Sequence, residues 1–260
     1  MAVATVNGAR LYYEVTGDGP PLVLITGQGI GPEGRVPLIR ALAERHAVLT
    51  YDQRGAGRSE RVPEGAPIEA LAADVLGLMD AAGFARANLL GHSTGTGMAT
   101  VLAADHGDRV AGLILACPWT HADAHLTAIQ ELRKVAARTL PLANYARFNA
   151  LLLYPPDYRR AHAALFADLA AKALDTPQDP DSIAARLDAI LAFDARPYYP
   201  RIACPTVVLT TPDDQVMPRW FAEEAAGAIP NASLVTLDGG GHMVTETRIG
   251  DVVRVVEEIE

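Results

Sequence analysis

The sequence predicts an α/β protein: a mostly parallel, twisted sheet with helices on both faces and an all-helical insertion between two strands. Three observations carry this. Short apolar runs rich in β-branched residues alternate with helical periodicity over much of the chain, the pattern of a parallel sheet covered on both sides. Between Pro118 and Pro200 the alternation stops, and no convincing strand is found there. Half of the 260 residues are hydrophobic, ample for one large core, and no repeat, low-complexity tract or linker divides the chain.

Taken in order, the N-terminus reads as a hairpin: AVATV, a turn at Asn7-Gly8, then ARLYYEV. PLVLIT (Pro21–Thr26), bounded by glycine and proline, reads as a buried strand. A helix over 36–44 leads to the strand Ala47–Tyr51, and a helix over 68–82 leads to the strand NLLG. A helix over 95–105 and the strand Val110–Ala116 follow. Beyond Pro118, Leu126, Ile129, Leu132 and Val135 recur at helical spacing. Further helices are expected over 142–153, 158–174 and 181–193, with breaks at YPPD and TPQDPD. PTVVLT, a helix from Pro218, ASLVTL and a final helix from Thr245 resume the alternation. The expected division is therefore core 1–117, a helical cap 118–200 over the sheet's edge, and core 201–260.

Composition narrows the function. With 22 basic against 31 acidic residues the net charge is −9, and no basic stripe is present that would neutralise nucleic-acid phosphates. No apolar run approaches the roughly 20 residues that span a bilayer. The start MAVATVNGAR lacks the basic-then-apolar pattern of a secretory leader, which points to the cytoplasm. Cys117 and Cys204, both beside prolines in apolar surroundings, read as buried reduced thiols rather than a disulfide framework. The charge leaves open whether copies of the chain associate.

The most informative stretch is LLGHSTGTGM, Leu89–Met98. It places Ser93 between Gly91 and Gly95, after a strand and before a helix. A strand that turns straight into a helix needs a tight, strained apex. Side chains two residues to either side would collide with the neighbouring strand and helix, hence the glycines. The apex side chain then stands free above the carboxyl edge of the sheet, where amides at the helix start and the helix dipole favour negative charge. That suits a nucleophile whose attack creates an oxyanion. Four serines and 22 glycines in 260 residues make the chance expectation of this spacing about 0.03.

A serine hydroxyl needs an adjacent base. Of seven histidines, His242 stands out because it follows the run DGGG just after the last strand, on a loop able to fold back toward the serine. His92 adjoins Ser93, but neighbouring side chains on such a turn diverge. His46, His106, His121, His125 and His162 fall in helices, helix ends or the insertion. The imidazole needs a carboxylate to hold its tautomer, and TTPDDQVMP, directly after the strand ending at Thr210, offers two. Asp214 is preferred, with Asp213 as a turn-forming or N-cap residue and Asp123 as a remote alternative.

GHSTG, YDQRGAGRS (Tyr51–Ser59), TPDDQVMP and GGGHM together resemble the α/β-hydrolase fold superfamily over nearly the whole chain except the insertion. The order Ser93, Asp214, His242 is that of its nucleophile, acid and base. The resemblance implies an acyl-enzyme hydrolase that uses neither metal nor organic cofactor. It also implies an oxyanion hole made by the backbone amides of Thr94 and of Gln28, in the loop TGQGIGPEG. Many family members have His-Gly where this chain has Thr26-Gly27. DQRGAGRS resembles a structural run that shapes one wall of the site, where Asp52 and Ser59 bond turn amides and Gly55 and Gly57 permit the bends.

The insertion carries a weaker resemblance. CPWTHADAHLTAIQELRKVAA, ALLLYPPDYRRAHAAL and RLDAILAFDARPYYPRIACP are similar in layout to the caps of aminoacrylate- and carbamate-type hydrolases, and they echo small enol-lactonases and esterases. This implies a small soluble metabolite whose ester, lactone or related acyl bond is cleaved. Among Arg133, Arg138, Arg147 and Arg159, one would suffice to clamp a substrate carboxylate, though surface solvation accounts for any one of them. A carbon–carbon bond hydrolase or a carbamate-type hydrolase would use the same three residues. An aminopeptidase would want clustered acids, and Glu131, Asp157 and Asp168 form no evident cluster. A ligand receptor on a hydrolase scaffold is the non-enzymatic alternative. Haloalkane and epoxide chemistry would need a carboxylate at position 93.

Overall fold

The computed structural model describes residues 2–27, 35–61, 65–175 and 179–259. Eight strands form one sheet: β1 (Ala2–Val6), β2 (Ala9–Thr16), β3 (Pro21–Ile25), β4 (Ala47–Tyr51), β5 (Ala87–His92), β6 (Val110–Ala116), β7 (Thr206–Thr210) and β8 (Ala232–Thr236). Their spatial order is β1-β2-β4-β3-β5-β6-β7-β8. The hairpin β1–β2 and the β2–β4 pair are antiparallel; every other pairing is parallel. Asn7 and Gly8, with φ of 47° and 76°, close the hairpin through two positive-φ residues, the geometry Asn-Gly supplies at low cost.

The strands read as continuous apolar runs because both faces are covered. Consecutive residues feed opposite cores. Val23, Ile25, Leu89, Leu113 and Leu115 pack on one side with the buried faces of helices α2 (Ile68–Ala81), α3 (Thr94–Asp105) and α9 (Arg219–Ala228). Leu22, Leu24, Leu90 and Ile114 pack on the other with α1 (Val36–Leu42) and α11 (Ile249–Glu258). Cys117 and Cys204 are buried and unbridged.

Between β6 and β7 lie α4 (Ala124–Thr139), α5 (Leu142–Leu153), α6 (Pro156–Ala161), α7 (Ala163–Asp175) and α8 (Pro180–Ala192). Leu126, Ile183, Leu187 and Ile190 join these helices to the sheet's larger core beside Trp119 and Phe193. The single helix expected over 158–174 is two helices. At His162 the backbone leaves helical geometry (φ −115°, ψ 36°), and the ring Nδ1 lies 2.9 Å from the carbonyl of Tyr158. A side chain that serves the last turn in this way competes with helix continuation. The final helix is likewise broken, into α10 (Val244–Thr247) and α11, at Arg248. Its guanidinium bonds Asp238, the Gly239 carbonyl at 3.1 Å and Asp251 at 2.8 Å. No described helix is long and apolar enough to cross a membrane.

What matters for the site is where the strands end. β3 connects onward to β4 on one side of it in the sheet and β5 to β6 on the other, so the chain diverges between β3 and β5 and leaves a crevice at their carboxyl ends. Thr26-Gly27 follows β3 and Ser93 follows β5, while the loops holding Asp214 and His242 follow β7 and β8 at the same edge.

Candidate active site

Ser93 occupies the apex with φ 55° and ψ −126°, a conformation side chains rarely adopt. The two glycines around it are required by contact. A Cβ on Gly91 would lie 2.7 Å from the Gly95 carbonyl oxygen, and a Cβ on Gly95 would lie 2.0 Å from that of Ile25 on β3. Gly27 is held as tightly, since its Cβ would meet the Ser93 Cβ at 2.9 Å. Ser93 is the N-cap of α3, yet its hydroxyl makes no cap hydrogen bond, although capping is the usual use of a serine there.

The hydroxyl goes instead to His242, whose Nε2 lies 2.8 Å from Ser93 Oγ. The other ring nitrogen, Nδ1, lies 2.8 Å from Asp214 Oδ2. Asp214 is buried, and its second oxygen accepts the amides of Val216 at 2.8 Å and Met217 at 2.9 Å. These bonds orient the carboxylate toward the imidazole. Three residues picked out along the sequence thus form one hydrogen-bonded chain. Cys117 Sγ lies within 4.8 Å of the Asp214 and His242 ligand atoms. Burial and the nearby Asp214 charge push its thiol well up, so it presents no thiolate there.

Asp213 neither caps a helix nor merely turns the chain. Its carboxylate accepts the amides of Gly241 at 2.9 Å and Gly240 at 3.3 Å, tying the glycine loop to the end of β7. Thr211 adds a bond to the Gly241 carbonyl at 3.0 Å, and Thr247 one to Gly240 at 2.8 Å. The inserted helices contribute as well, because the His242 amide donates to the Leu153 carbonyl at the end of α5 at 3.0 Å. Asp123 lies elsewhere, as the N-cap of α4.

Of the oxyanion-hole pair implied by the resemblance, Thr94 is the first residue of α3, at the helix end where amides are left over from the intrahelical ladder, while the Thr96 amide bonds the Ser93 carbonyl at 2.8 Å. Gln28 lies outside the described residues. The segment leading to it is held by Gln53, whose Nε2 donates to the Thr26 carbonyl at 2.8 Å. Asp52 accepts the Arg58 amide and Nε, both at 2.8 Å, and Ser59 Oγ accepts the Tyr12 amide at 2.9 Å. A Cβ on Gly57 would lie 2.4 Å from Asp52 Oδ2. The run is thereby fastened by its own hydrogen bonds and by bonds to β2 and to the end of β3.

His92 is fully buried, its Nε2 lies 2.8 Å from the His242 carbonyl, and its Nδ1 has no partner. Burial first, then the nearby Arg35 charge, hold it well below the ordinary histidine value, so it stays neutral. His121, His125 and His162 bond Thr120 and the carbonyls of Gln215 and Tyr158. The pocket over Ser93 is lined by Gly27, Arg35, Arg133, Leu153, Met217 and Met243 among others. Arg133 was one of several arginines the sequence offered. Arg35 was not seen at all, because a lone arginine after a glycine-rich loop carries no pattern.

Fold and site together define an α/β hydrolase. The chain belongs to the alpha/beta hydrolase fold family, whose sequence profile matches residues 20–248, and it is a hydrolytic enzyme. It is 33% identical to RutD of Caulobacter sp. (strain K31), which carries the name of a carbamate hydrolase, over 95% of this chain and 93% of that one. RutD of Azorhizobium caulinodans, of the same name, is 34% identical over 93% and 91%. Among solved structures, the enol-lactonase from Burkholderia xenovorans LB400 superposes with a TM-score of 0.87 at 30% identity, covering 99% of both chains.

Two outcomes follow. Gly95→Ala should cost about 3 kcal/mol or more in urea unfolding, because the new methyl meets backbone that cannot yield. Gly107→Ala, with open space around it, should stay within about 0.5 kcal/mol. The second concerns acid. His92 is depressed in the folded state, so the unfolded chain binds the extra proton, and this residue's contribution falls as pH drops below about 6.5. His92→Gln should flatten the decline of thermal stability below that pH and leave the pH dependence above it unchanged; an unchanged acid slope would refute this.

Proposed function

We propose that this enzyme cleaves an ester, lactone or related acyl bond of a small metabolite through an acyl-enzyme on Ser93. The observation that carries the proposal is the unbroken chain Asp214–His242–Ser93, with both links at 2.8 Å. His242 Nε2 takes the hydroxyl proton as Ser93 Oγ attacks the carbonyl carbon. Asp214 steadies the imidazolium that results. The oxyanion forms against the amide of Thr94, with that of Gln28 as the implied second donor. His242 then gives its proton to the leaving group. Water, deprotonated by the same imidazole, attacks the acyl-enzyme and releases the acid and Ser93.

In the same reading, residues 118–200 act as a cap that closes the pocket and sets substrate choice, between core parts 1–117 and 201–260. The pocket is small and enclosed by side chains of both core and insertion, which supports a compact substrate. Two buried free cysteines fit a reducing compartment such as the cytoplasm. The likeness to the RutD proteins favours a second reading of the same machinery, in which the acyl carbon belongs to a carbamate and the bond cleaved is C–N.

Labelling with a fluorophosphonate probe followed by peptide mass spectrometry should place the adduct on Ser93, and Ser93→Ala should abolish both labelling and turnover while the protein stays folded. Modification elsewhere would refute the assignment, and a panel of short esters, lactones and carbamates would rank the two readings. Asp214→Asn should lower kcat by about 10⁴-fold, since an amide holds the wrong imidazole tautomer. A loss below tenfold would remove Asp214 from the mechanism.

A further inference from the structure

We propose that Arg35 and Arg133 form a carboxylate clamp in the pocket over Ser93, so that the substrate is an ester or lactone bearing a second, free carboxylate. The proposal rests on the acyl-enzyme reading of Ser93 and names the substrate class for it.

Arg35 is only 2% exposed, yet its Nε and Nη1 have no hydrogen-bond partner among the described residues. A buried guanidinium is ordinarily paired, because removing its charge from water is costly. The acid that acts on Arg35 is Glu246, through space; the Glu246 carboxylate is itself bonded by Tyr154 Oη at 2.6 Å. Arg133 reaches the same pocket from α4 and bonds only neutral oxygens, Asn149 Oδ1 at 3.2 Å and Gln130 Oε1 at 3.0 Å. Burial lowers both guanidinium values, as expected for charges enclosed without an ionic partner.

Scarcity of acids does not explain this, since the chain holds 31 acidic against 22 basic residues. Other arginines near the core are paired directly, Arg54 with Asp74, Arg58 with Asp52 and Arg248 with Asp251, while Arg86, Arg147 and Arg159 at the surface bond neutral oxygens. Two cations with no bonded carboxylate among the described residues thus converge on the pocket that holds Ser93 and His242. The remaining walls, Leu153, Ile190, Met217 and Met243, are apolar and suit a short carbon chain between the two acyl ends. Guanidinium groups bind carboxylates through paired, charge-assisted hydrogen bonds, and hydrolysis of such a substrate yields a short dicarboxylate.

Two measurements separate the clamp from the chemistry. Glutarate binding, read by calorimetry, needs no catalysis. The wild type should bind it, and Arg133→Gln and Arg35→Met should each weaken it by about tenfold or more. In turnover, mono-4-nitrophenyl glutarate should exceed its neutral methyl ester by about 30-fold in kcat/KM. Arg133→Gln should remove most of that preference through KM, the charged ester losing about tenfold more than its neutral counterpart. Should Arg35→Met fail to fold by circular dichroism, Arg133→Gln carries the test alone. Absence of glutarate binding, equal use of the two esters, or parallel losses on both in the variant would overturn the clamp. Absence of fluorophosphonate labelling would instead overturn the role of Ser93.

Discussion

The structure depends on one close approach: the backbone of α3 at Gly95 against the Ile25 carbonyl of β3. A single methyl at Gly95 would stand 2.0 Å from that oxygen, so helix and strand are as near as backbone allows. This contact lets β5 turn into α3 within one residue and forces the strained φ of 55° at Ser93. The strain is sustained because β5 is buried along its whole length and paired on both sides by β3 and β6. A looser turn would let Ser93 cap the helix and spend its hydroxyl on the backbone.

Around that apex the other parts are held by polar bonds rather than by packing. The glycine loop before His242 cannot pack, having no side chains, so Asp213, Thr211, Thr247 and Arg248 fasten it. Asp214 faces the opposite demand: a buried charge has to be satisfied by donors, and two amides and one imidazole supply them. Adjacent aspartates thus share the work, one holding the loop and the other the ring.

The pocket's electrostatics run against those of the chain. An acidic protein places two guanidinium groups beside its candidate nucleophile with no bonded carboxylate among the described residues, whereas Arg54, Arg58 and Arg248 are ion-paired. Such an arrangement costs stability when empty and is offset on binding a complementary anion. The inserted helices bring one of these cations, Arg133, and supply the carbonyl of Leu153 that positions the His242 backbone. The insertion and the core therefore meet in the site itself.

Several things were legible in the residues alone. Apolar runs with β-branched residues marked the parallel strands, and Asn7-Gly8 marked the hairpin. The spacing Gly91-Ser93-Gly95 marked the strained turn, because a strand that runs straight into a helix leaves no room for side chains there, at Gly91 against its own helix and at Gly95 against β3. Ser93, Asp214 and His242 could each be placed at a strand's carboxyl end, since parallel strands put those ends at one edge whatever the intervening chain does. The helix break at His162, the loop-fastening role of Asp213 and the burial of Arg35 were not legible, because each is settled by a partner distant in sequence or by a single side-chain rotamer. By itself the sequence determined which backbone conformations were affordable and which side chains would reach one rim of the sheet. Only the tertiary structure decided which charges meet there and which are left unpaired, because desolvation depends on everything that surrounds a group and not on its neighbours in the chain.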